Sequence, residues 1–120
     1  MKQPADPYVD LVTAMTTCPD AQSAQRIAVA LVSDGLAACV QRIAGLQSTY
    51  VWDGKLQEEA EVLLLIKTIK PAVPALAQRI RVLHPYEVPE LLIVPVESGN
   101  EAYAQWVRDN VRLPVTPQPE

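Results

Sequence analysis

Tyr50 to Thr68 reads YVWDGKLQEEAEVLLLIKT, an Asp53-Gly54 pair set between two β-rich runs. A tight β-hairpin turn needs positive φ at both central positions, which Asp and Gly tolerate, so the pair predicts a two-residue turn. The arm that follows changes character along its length. Lys55 to Glu61 (KLQEEAE) is too polar for a core, whereas Val62 to Thr68 (VLLLIKT) is a buried strand. One long strand that projects at its start and is buried at its end is therefore expected, with a protruding hairpin tip.

On the N-terminal side, Ala38 to Ile43 and Gln47 to Trp52 form the other arm, and Gly45 marks a bend or bulge between them. Before it, Ala24, Ile27, Ala28, Leu31 and Val32 recur at helical spacing, with Asp20 as N-cap and Asp34-Gly35 as the stop. Val9 to Met15 (VDLVTAM) reads as the first strand. On the C-terminal side, Pro71 and Pro74 fit only a first helical turn, and Val73, Leu76, Ala77, Ile80 and Leu83 continue one face. Pro85 disfavours helix at His84. Leu91 to Val96 (LLIVPV) is a fourth strand, at an edge or a strand end because Pro95 lacks a ladder donor. Ser98 and Glu101 have capping-box spacing, with Asn100 as a rival cap, for a third helix burying Ala102, Tyr103, Trp106 and Val107.

The order is β-α-β-β-α-β plus a C-terminal helix. That is an α+β, ferredoxin-like split βαβ arrangement, an antiparallel sheet with two helices on one face. Its other face carries LVTAM and VLLLI, too apolar for water, so other subunits are expected to cover it. The chain of 120 residues is one domain, residues 9–113, with proline-bearing flexible tails at 1–8 and 114–120.

Composition narrows the partners. With 49% apolar and 20% charged residues the chain is globular, and no apolar run reaches the ~18 residues of a membrane helix. A net charge of −4 provides no Lys/Arg excess for phosphates, so neither nucleic acid nor an anionic membrane is expected as a partner. Two cysteines make no disulfide framework, and MKQPADPYVD lacks the apolar region of a signal peptide, so a cytoplasmic location is expected.

The lone histidine sits in His84-Pro85-Tyr86-Glu87-Val88-Pro89-Glu90. An imidazole, a phenol and two carboxylates in one stiff loop suit divalent-ion binding or acid–base work. The plainer reading is that His84 caps its helix and the carboxylates are solvated. Cys18 and Cys39 are small buried hydrophobes by default, and either thiol beside the imidazole would favour copper or zinc over magnesium or calcium. A Cys39–His84 nucleophilic pair is a weaker alternative, since no third group orients it. Lys67, in an apolar strand, calls for an ion pair at a subunit boundary. Tyr50 and Trp52 flank the hairpin tip and suit packing against a neighbouring chain. Phosphate-binding, dinucleotide-binding, serine-hydrolase and HExxH motifs are all missing.

Taken in order, TCPD (17–20), GLAACV (35–40), YVWDGKL (50–56), EVLLLIKT (61–68) and HPYEVPE (84–90) resemble the CutA family of divalent-cation tolerance proteins. The resemblance runs from about Val9 to Val107 and implies a ferredoxin-like homotrimer, similar in architecture to PII signalling proteins, whose long hairpins help join subunits. It implies binding of copper or another divalent cation, a role in metal tolerance or homeostasis, and no enzymatic activity. His84 matches the family histidine, and Glu90, Cys39 and Cys18 are the further candidate ligands. Some relatives carry a second histidine where this chain has Leu83 and a thiol where it has Thr16. Two rivals stand beside this reading. One is a PII-like module holding an anionic small molecule near Lys67. The other is an acid–base enzyme using Glu87 or Glu90 of the His84 loop.

Overall fold

The computed structural model describes residues 6–113, so residues 114–120 and the first five of the expected N-terminal tail lie outside the described residues. The elements are β1 (Leu11–Cys18), α1 (Ala21–Ser33), β2 (Cys39–Trp52), β3 (Lys55–Ile69), a 3-10 turn (Lys70–Ala72), α2 (Val73–Leu83), β4 (Leu92–Pro95) and α3 (Glu101–Asp109). All neighbouring strands are antiparallel in the order β2-β3-β1-β4, which is the split βαβ sheet expected.

The hairpin forms as its sequence dictates. Asp53 and Gly54 have φ of 55° and 75°, and Trp52 faces Lys55 across the turn. Gly45, at φ 87°, lies in a bulge where Ile43 pairs with Leu63 but Leu46 pairs with Glu61, one extra residue on β2. β1 stops pairing with β3 at Cys18↔Val62, so the seven pairs from Leu46↔Glu61 to Trp52↔Lys55 form a free two-stranded ribbon. At ~3.3 Å per residue it extends roughly 20 Å beyond the sheet.

Local chemistry also sets the helix ends. Asp20 Oδ1 accepts the Ser23 N–H at 2.7 Å, the N-cap bond expected. At the other end of α1, Gly35 adopts φ 73°, the Leu36 N–H reaches Leu31 O at 2.9 Å and the Gly35 N–H reaches Val32 O at 3.0 Å. That pair of bonds is a Schellman stop, and Leu31 and Leu36 close it by meeting in the core. α2 ends at His84, whose ψ of 136° is extended, as a residue before proline should be.

Ala14, Cys18, Leu64 and Ile66 on one sheet face pack against Ala24, Ile27 and Leu31 of α1 and Leu76 and Ile80 of α2. A second core joins Leu11 and Ile69 to Ala104 and Val107 of α3, which covers one end of the opposite face. The rest of that back face holds half-buried Met15, Leu63 and Leu65 and exposed Ile43, Leu92 and Val94.

Three expectations need correction. β1 begins at Leu11 and runs on to Cys18, because Asp10 turns at φ 68° and the β-branched Thr16 and Thr17 continue the ladder until Pro19. Asn100, not Ser98, caps α3, with Oδ1 accepting the Tyr103 N–H at 3.1 Å. The buried face of α3 is Ala104 and Val107; Ala102, Tyr103 and Trp106 face outward, the two aromatics stacked with centroids 5.7 Å apart. Ahead of β1, Tyr8 packs on the second core and Pro7 O accepts from Arg108 Nε at 2.8 Å.

Candidate functional site

The loop from His84 to Glu90 lies across the end of β1, and several polar bonds hold it there. Thr16 is fully buried and its hydroxyl donates to Glu90 O at 2.6 Å. Thr16 thus serves as a tether for the loop.

His84 is 7% exposed. Its Nδ1 accepts the Tyr86 backbone N–H at 3.0 Å, so that nitrogen carries no proton. Nε2 therefore bears the proton and donates to Thr17 O at 2.7 Å, which assigns the neutral tautomer. Cys18 Sγ lies 3.9 Å from the same Nε2. Both ring nitrogens are engaged, and the imidazole latches the loop to β1.

The thiol of Cys18 is fully buried, and burial pushes it up to about 11, with Asp20 and Glu61 adding to the effect and a Ser23 hydrogen bond opposing it. At neutral pH it is a thiol rather than the thiolate that attacks or ligates. Tyr86 extends the cluster: its hydroxyl donates to Glu61 Oε2 at 3.1 Å and its ring lies 4.9 Å from that of His84. Desolvation first, and the Glu61 bond second, push its phenol well above the ordinary tyrosine range. Tyr50 is raised in the same direction by its hydrogen bond to Glu59.

The expected ligands do not all meet. Cys18 and His84 do. Cys39 pairs with Lys67, five residues along β3 from the Val62 that faces Cys18, and by alternation on the opposite face. Roughly 17 Å of strand separates the two cysteines, which removes the Cys39–His84 nucleophilic pair. Glu90 contributes a backbone carbonyl to the loop, while its side chain and that of Glu87 are exposed. Lys67 donates to Gln41 Oε1 at 3.0 Å rather than to a carboxylate. Trp52, 63% exposed, and Tyr50 remain at the hairpin as expected.

Imidazole and sulfur are the right donor types for copper, yet among the described residues no three His, Cys, Asp or Glu side chains converge. Within one chain this is a closed two-donor pair, short of a complete metal site. Glu61 was the residue the sequence concealed. It is buried although it ends a polar run, and its one signal is its place directly before Val62 to Ile66.

Comparison with known proteins agrees with this architecture. The family model described as "CutA1 divalent ion tolerance protein" matches residues 12–110. Human "Protein CutA" is 50% identical over 95 residues, 79% of this chain but 53% of the human protein, so the chain spans about half the length of that relative. The "Divalent-cation tolerance protein CutA" of Thermus thermophilus is 46% identical over 96 residues, 80% of this chain and 93% of that one. The crystal structure of CutA1 from Oryza sativa superposes with a TM-score of 0.85 at 36% identity, covering 88% of this chain and 97% of the rice chain. With the family model spanning the first core, most of the second and the His84 loop, the chain belongs to the CutA1 divalent ion tolerance protein family.

Proposed function

We propose that the chain works as a non-enzymatic, cytoplasmic homotrimer that binds divalent cations, copper first among them, in cation tolerance and the response to metal ions. One observation carries the assembly. The sheet ends in two unpaired edges, β2 and β4, and its back exposes Ile43, Leu92 and Val94. Free edges are templates for pairing with another chain. If the β2 edge of one copy meets the β4 edge of the next, the contact is head-to-tail, and a head-to-tail contact closes into a ring when the rotation allows. The same rotation lets the hairpin carry Tyr50 and Trp52 onto a neighbour.

Cation binding rests on family membership together with the one imidazole–thiol pair, His84 and Cys18. A copper ion entering there displaces the Tyr86 N–H from Nδ1, or the proton and Thr17 O from Nε2. Binding therefore competes with the latch. Cys39 lies too far along the sheet to join it.

Thermal unfolding of tag-free protein with and without copper tests this reading. At ~100 times its dissociation constant, an ion that binds only the folded protein adds about 2.7 kcal/mol. His84→Ala should abolish that gain, and Cys39→Ser should leave it intact. The His84 variant is itself less stable by about 1–3 kcal/mol, since Thr17 O loses its buried partner, so the comparison is the copper-induced gain within each variant. An undiminished gain in His84→Ala would contradict the assignment.

A further inference from the structure

β4 has little of its own to hold it in place. Its four residues are all exposed, and the two cores take in only its flanks, Leu91 and Val96. Its register rests on four pairs with β1, from Val12↔Pro95 to Met15↔Leu92, and on the Val96 N–H donating to Leu11 O at 3.0 Å. Continued by two residues, that register would set Glu90 opposite Thr17, but the ladder stops short of them. Side chains take up both carbonyls instead. Thr17 O accepts from His84 Nε2 at 2.7 Å, and Glu90 O accepts the Thr16 hydroxyl at 2.6 Å. Both donors are buried. A third bond, from Arg26 Nη2 to Leu83 O at 3.0 Å, ties the start of the loop to α1.

β4 is therefore clamped to β1 at both ends, and the clamp at its entry is made of side chains. A one-residue slip of β4 would exchange Ile93 for Leu92 and Val94 on the back face, and a four-pair ladder is little to resist it. An edge that wanders must be ordered when a second copy docks on it, at a cost in affinity that an edge already fixed avoids. The clamp thus matters in the free chain, before any neighbour covers β4.

We infer that the Thr16–Glu90 and His84–Thr17 bonds preorganise the β4 edge for docking of a second copy, with Thr16 as the positioning residue. The inference rests on the homotrimer reading and makes no use of a bound cation. Because His84 is also the proposed ligand, Thr16 is the residue that separates the two roles.

Thr16→Val removes the hydroxyl at nearly constant shape, and Thr16→Ser keeps it. Dilution followed by native mass spectrometry reads assembly, and hydrogen exchange across residues 90–96 reads the edge. Thr16→Val should dissociate at a concentration at least about tenfold higher than wild type, the cost of leaving one sheltered acceptor unpaired. It should also exchange faster across 90–96, as a locally opening segment does. Thr16→Ser should match the wild type in both readings. Asp20→Ala, which loses the α1 cap on the helical layer, should lower the unfolding temperature and leave both readings unchanged. Circular dichroism equal to wild type establishes that each variant is folded. A trimer whose dissociation ignores Thr16→Val overturns the inference, as does unchanged exchange across 90–96 in that variant. An equal loss in Asp20→Ala overturns it too, by reducing the effect to general stability. So does a Thr16→Ser protein that behaves like Thr16→Val, which would place the effect in the lost methyl or hydroxyl packing rather than in the bond. A wild-type chain that stays monomeric at micromolar concentration instead overturns the homotrimer reading, and the docking role falls with it, so the two failures are separate results.

Discussion

His84 shows how a residue type can be legible while its role is not. HPYEVPE displays an imidazole beside a phenol and two carboxylates, but the partners that fix the ring are backbone groups, Thr17 O and the Tyr86 N–H. Every residue carries such groups, so no side-chain pattern announces them. Cys18 was legible as a small buried residue, and its proximity to His84 became visible only through the loop's path. Its protonation gives a prediction with a definite sign. The folded thiol is raised to about 11 from an ordinary value near 9, so the native state holds its proton longer than the unfolded chain does. That contribution is fully present below pH ~9 and is lost as pH rises toward ~11. Chemical denaturation should show stability falling across that window by more in the wild type than in Cys18→Ala. Alkylation at neutral pH should modify the partly exposed Cys39 well before Cys18. Equal slopes in the two proteins, or equal labelling of both thiols, would contradict this.

The elements were legible where a local signal and a tertiary requirement coincided. Asp53-Gly54, the Gly45 bulge, the Asp20 cap and the Pro85 stop are each dictated by backbone chemistry within a few residues. α3 was not, because nine residues make too few turns to define a stripe. Tyr103 and Trp106 mimic a buried i, i+3 pair, yet the slot beneath Leu11 and Ile69 admits the smaller Ala104 and Val107. Gly35 supplies the sharpest test at this scale. It combines φ 73° with a close neighbour, since a Cβ there would clash with Arg112 Nε. The arginine is flexible but is held by Arg112 Nη2 donating to Ser33 O at 2.9 Å and by its own N–H donating to Gly35 O at 2.7 Å. Gly35→Ala should therefore lower stability by about 1–2 kcal/mol, the left-handed penalty for an L-residue, with a further loss from the displaced arginine. Gly54→Ala carries a similar backbone penalty with nothing within 4 Å of the new Cβ, so Gly35→Ala should be the more destabilising of the two in urea titrations. The reverse order would mean that the Arg112 contact is unimportant.

At the level of the whole molecule, the proposed assembly would account for the sheet's apolar back and the projecting ribbon together. A single chain leaves Trp52, Val51 and Leu56 63%, 66% and 70% exposed on two strands with no layer beneath them. A neighbouring copy would remove that surface from water, and an aromatic anchor of this kind contributes about 2 kcal/mol or more to an interface. Trp52→Ala should accordingly shift the assembly to dissociate at higher concentration on dilution, while the circular dichroism of each chain stays as in wild type. The expectation of an assembly rests on the mismatch between apolar strands and a back face that α3 covers at one end only. The order of residues along one chain carries no trace of how edges on different chains would pair. The mass of tag-free protein in native mass spectrometry at micromolar concentration tests the central claim most directly. Three copies of the 13.2 kDa chain, about 40 kDa, are predicted. A species that stays at 13.2 kDa would contradict the account.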